Sequence, residues 1–225
     1  MKVLNRIDAN IKILWERCIL ASIAHAITVA QYPILANEHS WDGINYNVQD
    51  NQGTRGTVTF DNKYCLAAFR NENSFRLRRK KYEIANSYFE GAPKEVINLA
   101  EAETLQYLLD EVNGEIIPLI TTAFWIDEGI LYSIDTYEEM LENGFAILNN
   151  QFMSYEDSVE AWIEEYEMTN RQIRLLELIY NRKVNNTNSK LILTDKEIEM
   201  LESDDEEGLY KSKISFEELQ IYWES

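Results

Sequence analysis

The chain has 225 residues, 45% of them hydrophobic, only 8 Gly and 3 Pro, and a formal net charge of −18. This composition belongs to a folded, helix-rich chain able to bury a sizeable core, not to a disordered one. The charge is uneven: residues 1–81 carry 12 Lys/Arg against 7 Asp/Glu and residues 82–225 carry 9 against 32, so the C-terminal part repels nucleic-acid phosphates and attracts a basic protein.

At the N-terminus, Lys2 and Arg6 precede the apolar run CILASIAHAITVA, which has the outline of a targeting segment. Asp8, Lys12, Glu16 and Arg17 stand just before that run, which is also shorter than the ~20 residues needed to span a bilayer. The expectation is a helix, no membrane association and a cytoplasmic location. Ile7, Ile11, Leu14, Cys18, Ala21 and His25 recur at spacings of four and three, predicting one helix from about Arg6 to Ala30 that ends before Pro33. Ile19, Leu20, Ile23 and Ile27 fill its flank, so its second half should be buried nearly all round. Cys18 and Cys65 lie far apart in apolar patterns and read as buried free thiols of a reducing compartment.

The stretch from His39 to Lys81 is the part that reads clearly as sheet. Ile44–Val48, Thr57–Phe60 and Tyr64–Phe69 suit three strands, separated by Asn51-Gln52-Gly53 and Asp61-Asn62, residue types that tolerate tight hairpins. Both alternating sets of the third run are apolar, which implies a strand covered on both faces. The first helix is the natural cover.

The run Arg76, Arg78, Arg79, Lys80 and Lys81 follows, inside a segment from Phe75 to Phe89 that reads as a strand leading into a short helix or as a helix throughout. Pro93 opens a predicted helix from about Lys94 to Val112, with Gly114 as its stop. Ile116 to Trp125 reads as strand or buried helix, and Leu191–Leu193 as a further candidate strand. Thr136…Glu139, Thr194…Glu197 and Ser215…Glu218 match the capping box, predicting helix starts near 137, 195 and 216. Tyr155 to Arg182 has the strongest amphipathic pattern, as one long helix or two broken near Thr169. Val184–Ser189 and Ser203–Gly208 are candidate linkers.

Catalytic and metal signatures are missing from the sequence. His39 sits between Glu38 and Asp42 and could be tuned as a general base, but neighbours in sequence rarely converge on one substrate atom, and a loop anchor at Trp41 with a cap at Asp42 accounts for the same residues. His25, on an apolar face, reads as a core histidine. Two histidines and two scattered cysteines give no zinc spacing. Asp204-Asp205-Glu206-Glu207 lacks the ligand alternation of a calcium loop, Gly53-Thr54-Arg55-Gly56 lacks the ending of a phosphate loop, and no serine is framed as a nucleophile elbow. No cofactor is implied.

Two charged features remain. Glu156, Glu160, Glu164 and Glu165 line a carboxylate-rich helix face, with Asp157 and Glu167 nearby, which reads either as an ordinary solvated face or as a docking surface for a basic partner. The basic run Arg76–Lys81 pairs with acidic helices of the same chain or of a second copy, or else binds a phosphate-bearing ligand or nucleic acid.

The expected fold is α+β: a small antiparallel meander covered by an N-terminal helix, followed by a mainly helical acidic part, divided as 1–91 and 92–225 or continuous. In its Asn-, Ile- and Glu-rich acidic composition the chain is similar to bacterial toxin-immunity and phage-conflict accessory proteins, a compositional likeness that transfers no residue. It implies an inhibitor, immunity or accessory protein that docks a basic partner. The alternatives are a nucleic-acid or phosphate-ligand effector using residues 76–81, and an enzyme with a carboxylate-based site.

Overall fold

The structure, a computed structural model, describes residues 4–78, 84–186 and 190–224. The chain runs β1 (Asn5–Asp8), α1 (Ile11–Val29), a 3-10 turn (Pro33–Leu35), β2 (His39–Asp42), β3 (Asn45–Gln49), β4 (Thr54–Phe60), β5 (Cys65–Asn71) and α2 (Phe75–Arg78). A 3-10 turn (Ala85–Phe89), α3 (Lys94–Ala102), another 3-10 turn (Thr104–Leu108), β6 (Leu109–Val112), β7 (Glu115–Pro118), β8 (Thr122–Asp127) and β9 (Ile130–Ser133) follow. The remainder is α4 (Tyr137–Glu142), a 3-10 segment (Phe145–Phe152), α5 (Tyr155–Glu165), α6 (Asn170–Asn185), β10 (Leu191–Leu193), α7 (Asp195–Ile198), a 3-10 turn (Glu199–Leu201), α8 (Glu206–Glu218) and β11 (Ile221–Trp223). The architecture is α+β, an antiparallel sheet with an N-terminal helix and C-terminal helices. Its main sheet has seven strands in the order β1-β9-β8-β5-β4-β3-β2.

Two compact units share the chain. One comprises Met1–Leu14 and Asp42–Asn149, the other Trp15–Trp41 and Asn150–Ser225. The grouping is therefore interleaved along the chain. By composition the first unit holds 12 Lys/Arg and 19 Asp/Glu, the second 9 and 20.

In the first unit the expected meander is present as β3-β4-β5, with Asn45 opposite Thr59 and Phe60 opposite Cys65. β8 continues it beside β5, and β9 and β1 beyond that. Leu66, Ala68, Ala123 and Trp125 form one sheet face, packed under Tyr88 and Phe89 of the 3-10 turn Ala85–Phe89, Val96 and Ala100 of α3, and Leu105 and Leu108. On the other face Phe69 lies 6.0 Å from both Phe124 and Phe145, ring centre to ring centre. β5 is buried from Cys65 to Arg70, as its two apolar sets required.

Three expectations fail here. Asn5–Asp8 is strand, because pairing with β9 outweighs the helical stripe that Ile7 begins. The helix from Lys94 stops at Ala102, since Glu103 leaves helical geometry (φ −124°, ψ −82°) and the next residues form a 3-10 turn. Asn113 and Gly114, both at positive φ (55° and 87°), then make the hairpin turn from β6 to β7 and do not cap a helix. Ile116–Trp125 resolves into two strands, β7 and β8.

In the second unit, Ile19, Leu20, Ala21, Ile23, Ala24, Ala26 and Ile27 of α1, with Ala30 just beyond it, share a core with Trp162, Leu175, Leu176, Ile179, Leu201 and Phe216. The long amphipathic stretch is broken at Thr169, whose side chain and Gln172 form a capping box that starts α6. Boxes at Thr136 and Thr194 also form. The predicted start near 216 does not: α8 begins at Asp205, which accepts from the Glu207 amide, and Ser215 lies inside the helix, buried. Part of the 203–208 linker is thereby helix cap. Ser203 Oγ also donates to the Ala30 carbonyl. Of the 184–189 linker, 184–185 end α6 and 187–189 lie outside the described residues. Leu191–Leu193 is strand, parallel to β11. Among the described residues no helix is long and apolar enough to cross a membrane.

Candidate functional site

α5 starts where the Ser154 hydroxyl accepts from the Asp157 amide at 3.1 Å. Its inner face is set by Ser158 and Trp162, both buried. At its start Tyr155 stacks on Tyr180 of α6 with ring centres 5.2 Å apart. The Arg17 guanidinium lies 5.2 Å from the Tyr155 ring centre and donates to Tyr180 Oη at 3.0 Å. Burial raises the pKa of both tyrosines, so their hydroxyls stay protonated and serve as scaffold.

Glu156, Glu160 and Glu164 occupy the opposite face at intervals of four, stacked along the helix, and all three are exposed. Among the described residues none of them pairs with a cation. Like charges at this spacing cost a helix about 0.2–0.5 kcal/mol per pair. Glu164 also stands in a last turn that contains no basic residue, where the helix dipole opposes a carboxylate. Glu165 differs: its side chain accepts from Asn150 Nδ2 at 3.1 Å, and burial raises its pKa. It stands beside the row, exposed like it.

Cations of this unit are largely occupied elsewhere. Arg171 pairs with Glu202, Arg182 with Glu197 and Lys211 with Glu207 at 3.3, 2.6 and 2.7 Å. The outer row of α5 therefore keeps its charge.

The basic run resolves differently from a uniform docking strip. Arg76 is bidentate to Asp135, Nη1 to Oδ2 at 2.7 Å and Nη2 to Oδ1 at 2.9 Å, and also donates to the Thr121 carbonyl at 2.6 Å. Asp135 is buried and accepts further from Thr122 Oγ1 at 2.7 Å. Arg76 thus fastens α2 to the sheet through a buried carboxylate that follows β9, not through an acidic helix. Arg78 is exposed. Arg79, Lys80 and Lys81 lie outside the described residues.

The histidines come together, without forming a surface site. His25 and His39 have ring centres 5.0 Å apart, and both are buried. His25 Nε2 donates to the Leu35 carbonyl at 2.9 Å, and Tyr166 Oη lies 3.3 Å from His39 Nε2. Burial lowers the His25 pKa to about 4 against the backbone hydrogen bond that raises it, and burial with the charge of His25 holds His39 well below the usual range. The general base read at His39 has no open substrate face. Trp41 is an anchor as expected, donating from Nε1 to Ser22 Oγ at 2.8 Å, whereas Asp42 caps nothing and accepts from Tyr107 Oη at 2.7 Å.

Both cysteines are buried and free, and burial pushes the Cys65 thiol up. Among the described residues no group of three or more His, Cys, Asp or Glu is arranged to hold a metal ion. The sequence reading passed over Arg70, Glu72, Asp110 and Glu111, which line one cavity with Arg78. Its one signal was an arginine closing the apolar strand CLAAFR. Set against family models, curated proteins and solved structures, the chain matches none.

Proposed function

We propose that this protein acts by stoichiometric binding: a non-enzymatic inhibitor, immunity or accessory protein of a bacterial or phage conflict system that docks one basic protein on the outer face of α5. The observation that carries the reading is the row Glu156, Glu160 and Glu164, exposed and unneutralised among the described residues on a rigidly braced helix. Such a row works against the helix that bears it, and a positively charged cleft, as nucleic-acid-cutting toxins must have, would offset that cost. The two buried free thiols suit action in a reducing cytoplasm.

The test is the triple variant E156K/E160K/E164K beside the wild type, each tagged and recovered from the native cell at low salt, with bound protein identified and its kinetics then measured. We expect one basic protein in a fixed ratio with the wild type. The variant should associate at least roughly tenfold more slowly, since surface charges mainly steer encounter. Unchanged affinity and association rate at low salt would make the row an ordinary solvated face.

A further inference from the structure

The first unit contains a cavity of about 450 Å³ between β5, α2 and the β6–β7 hairpin, within the roughly 300–1,000 Å³ of small-molecule sites. Leu77, Val112 and Leu119 give it an apolar lining. Arg70 enters from β5, its side chain 8% exposed, with Nε 2.7 Å from Glu72 Oε1 and Nη1 against Asp110 Oδ2. Both nitrogens are themselves buried against these carboxylate oxygens, so the guanidinium is charge-balanced and forms part of the cavity wall. The Arg70 guanidinium, with the Glu111 amide, holds the Asp110 carboxyl below its usual range, and the charge of Arg55 adds to this.

Two lining charges remain. Arg78 and Glu111 both border the cavity, and among the described residues neither side chain has an ion-pair or hydrogen-bond partner. One is a cation and the other an anion. A simple anion would meet the carboxylates of Glu72, Asp110 and Glu111, and a simple cation would meet Arg70 and Arg78. A molecule carrying both charges meets each with its opposite.

We infer that this cavity binds a small zwitterion with an apolar side chain, of the class of the aliphatic α-amino acids. Its carboxylate faces Arg78, its ammonium faces Glu111, and its side chain lies on Leu77, Val112 and Leu119. Bidentate guanidinium–carboxylate geometry supplies orientation, and the desolvated hydrocarbon supplies selection among amino acids. The site is on the unit that does not carry α5, and it stands or falls independently of the docking surface.

The probe is L-leucine, titrated calorimetrically into the full-length chain, with 4-methylpentanoate and isopentylamine as analogues lacking one charge each and glycine as the analogue lacking the side chain. We expect saturable one-site binding of L-leucine and at least roughly tenfold weaker binding of all three analogues. Arg78→Gln and Glu111→Gln should each weaken L-leucine binding by a similar factor and leave the ligand-free melting temperature unchanged, because both side chains are exposed. No saturable heat with L-leucine at millimolar concentration overturns the assignment, as does undiminished binding by both variants. Equal binding of 4-methylpentanoate would make it an anion site, equal binding of isopentylamine a socket for a basic side chain, and either result also rejects the zwitterion.

Discussion

Phe69 joins a strand that is covered on both faces to a cluster of aromatic rings. It is fully buried, and the rings of Phe124 and Phe145 that flank it are themselves 5.8 Å apart. Truncation to alanine empties the middle of that cluster, and Phe69→Ala should cost about 3–5 kcal/mol in urea melts. A loss below about 1 kcal/mol would mean the three rings do not form one packed group. The buried pair His25 and His39 makes a different residue-scale prediction. Both are neutral in the folded protein, with pKa values below the ~6.5 of an unfolded histidine. Unfolding therefore takes up protons below that value, and stability is fully present above pH 6.5 and lost as pH falls toward about 4. Each histidine contributes a slope of up to about 1.4 kcal/mol per pH unit there. Denaturant melts between pH 7 and pH 5 should show this decline, with a shallower one in His25→Phe. A flat profile in the wild type would show that the pair is hydrated or charged.

At the scale of elements, α2 and α8 separate what spacing announces from what packing decides. In α2, two arginines of one basic run have opposite fates. Arg76→Gln leaves Asp135 buried without its partner and should cost about 3 kcal/mol, whereas Arg78→Gln should change stability by less than about 0.5 kcal/mol. Equal effects in urea melts would contradict the bidentate pair. In α8, a Cβ on Gly208 would stand 2.2 Å from the Ala30 carbonyl oxygen, closer than any side chain can approach. Gly208→Ala should therefore lower the melting temperature by several degrees, about 2–4 °C per kcal/mol for a chain of this size; no change would show that α8 can move away from α1. This packing explains why the Ser215 box misled: α8 is laid along α1 from its first turn, so a local signal at its tenth residue starts nothing. The error over 94–112 has another origin. Leu105 and Leu108 keep an apolar spacing of three, which a 3-10 turn satisfies as well as an α-helix does, and only the Asn113-Gly114 pair favoured a hairpin. The central meander was legible because its turn residues and alternation agree. β1 was not, because its partner lies about 125 residues further along the chain. The acidic row of α5 could be read from spacing alone, whereas the cavity around Arg70 draws on separate stretches that only the sheet and the hairpin bring together.

The whole molecule carries more negative than positive charge in each unit. Mutual repulsion of exposed carboxylates opposes compaction, and salt screens it over a Debye length of ~10 Å at 0.1 M. Raising sodium chloride from about 20 to about 300 mM should therefore raise the melting temperature. A fall would mean that the ion pairs, chiefly those of Arg70, Arg76 and Arg182, outweigh the repulsion. The interleaving of the two units bears on how the chain is made. Trp15–Trp41 shares a unit with Asn150–Ser225, and the intervening segment must be synthesised before the two can meet. At roughly 5–20 residues per second the ribosome needs on the order of 5–20 s for that segment. Throughout that interval the most apolar helix of the chain, whose residues from Ile19 to Ala30 are all buried in the finished protein, waits without the helices that complete its core. The newborn chain should therefore need this helix shielded during its own translation, and slowing the ribosome should lower its yield in a cell.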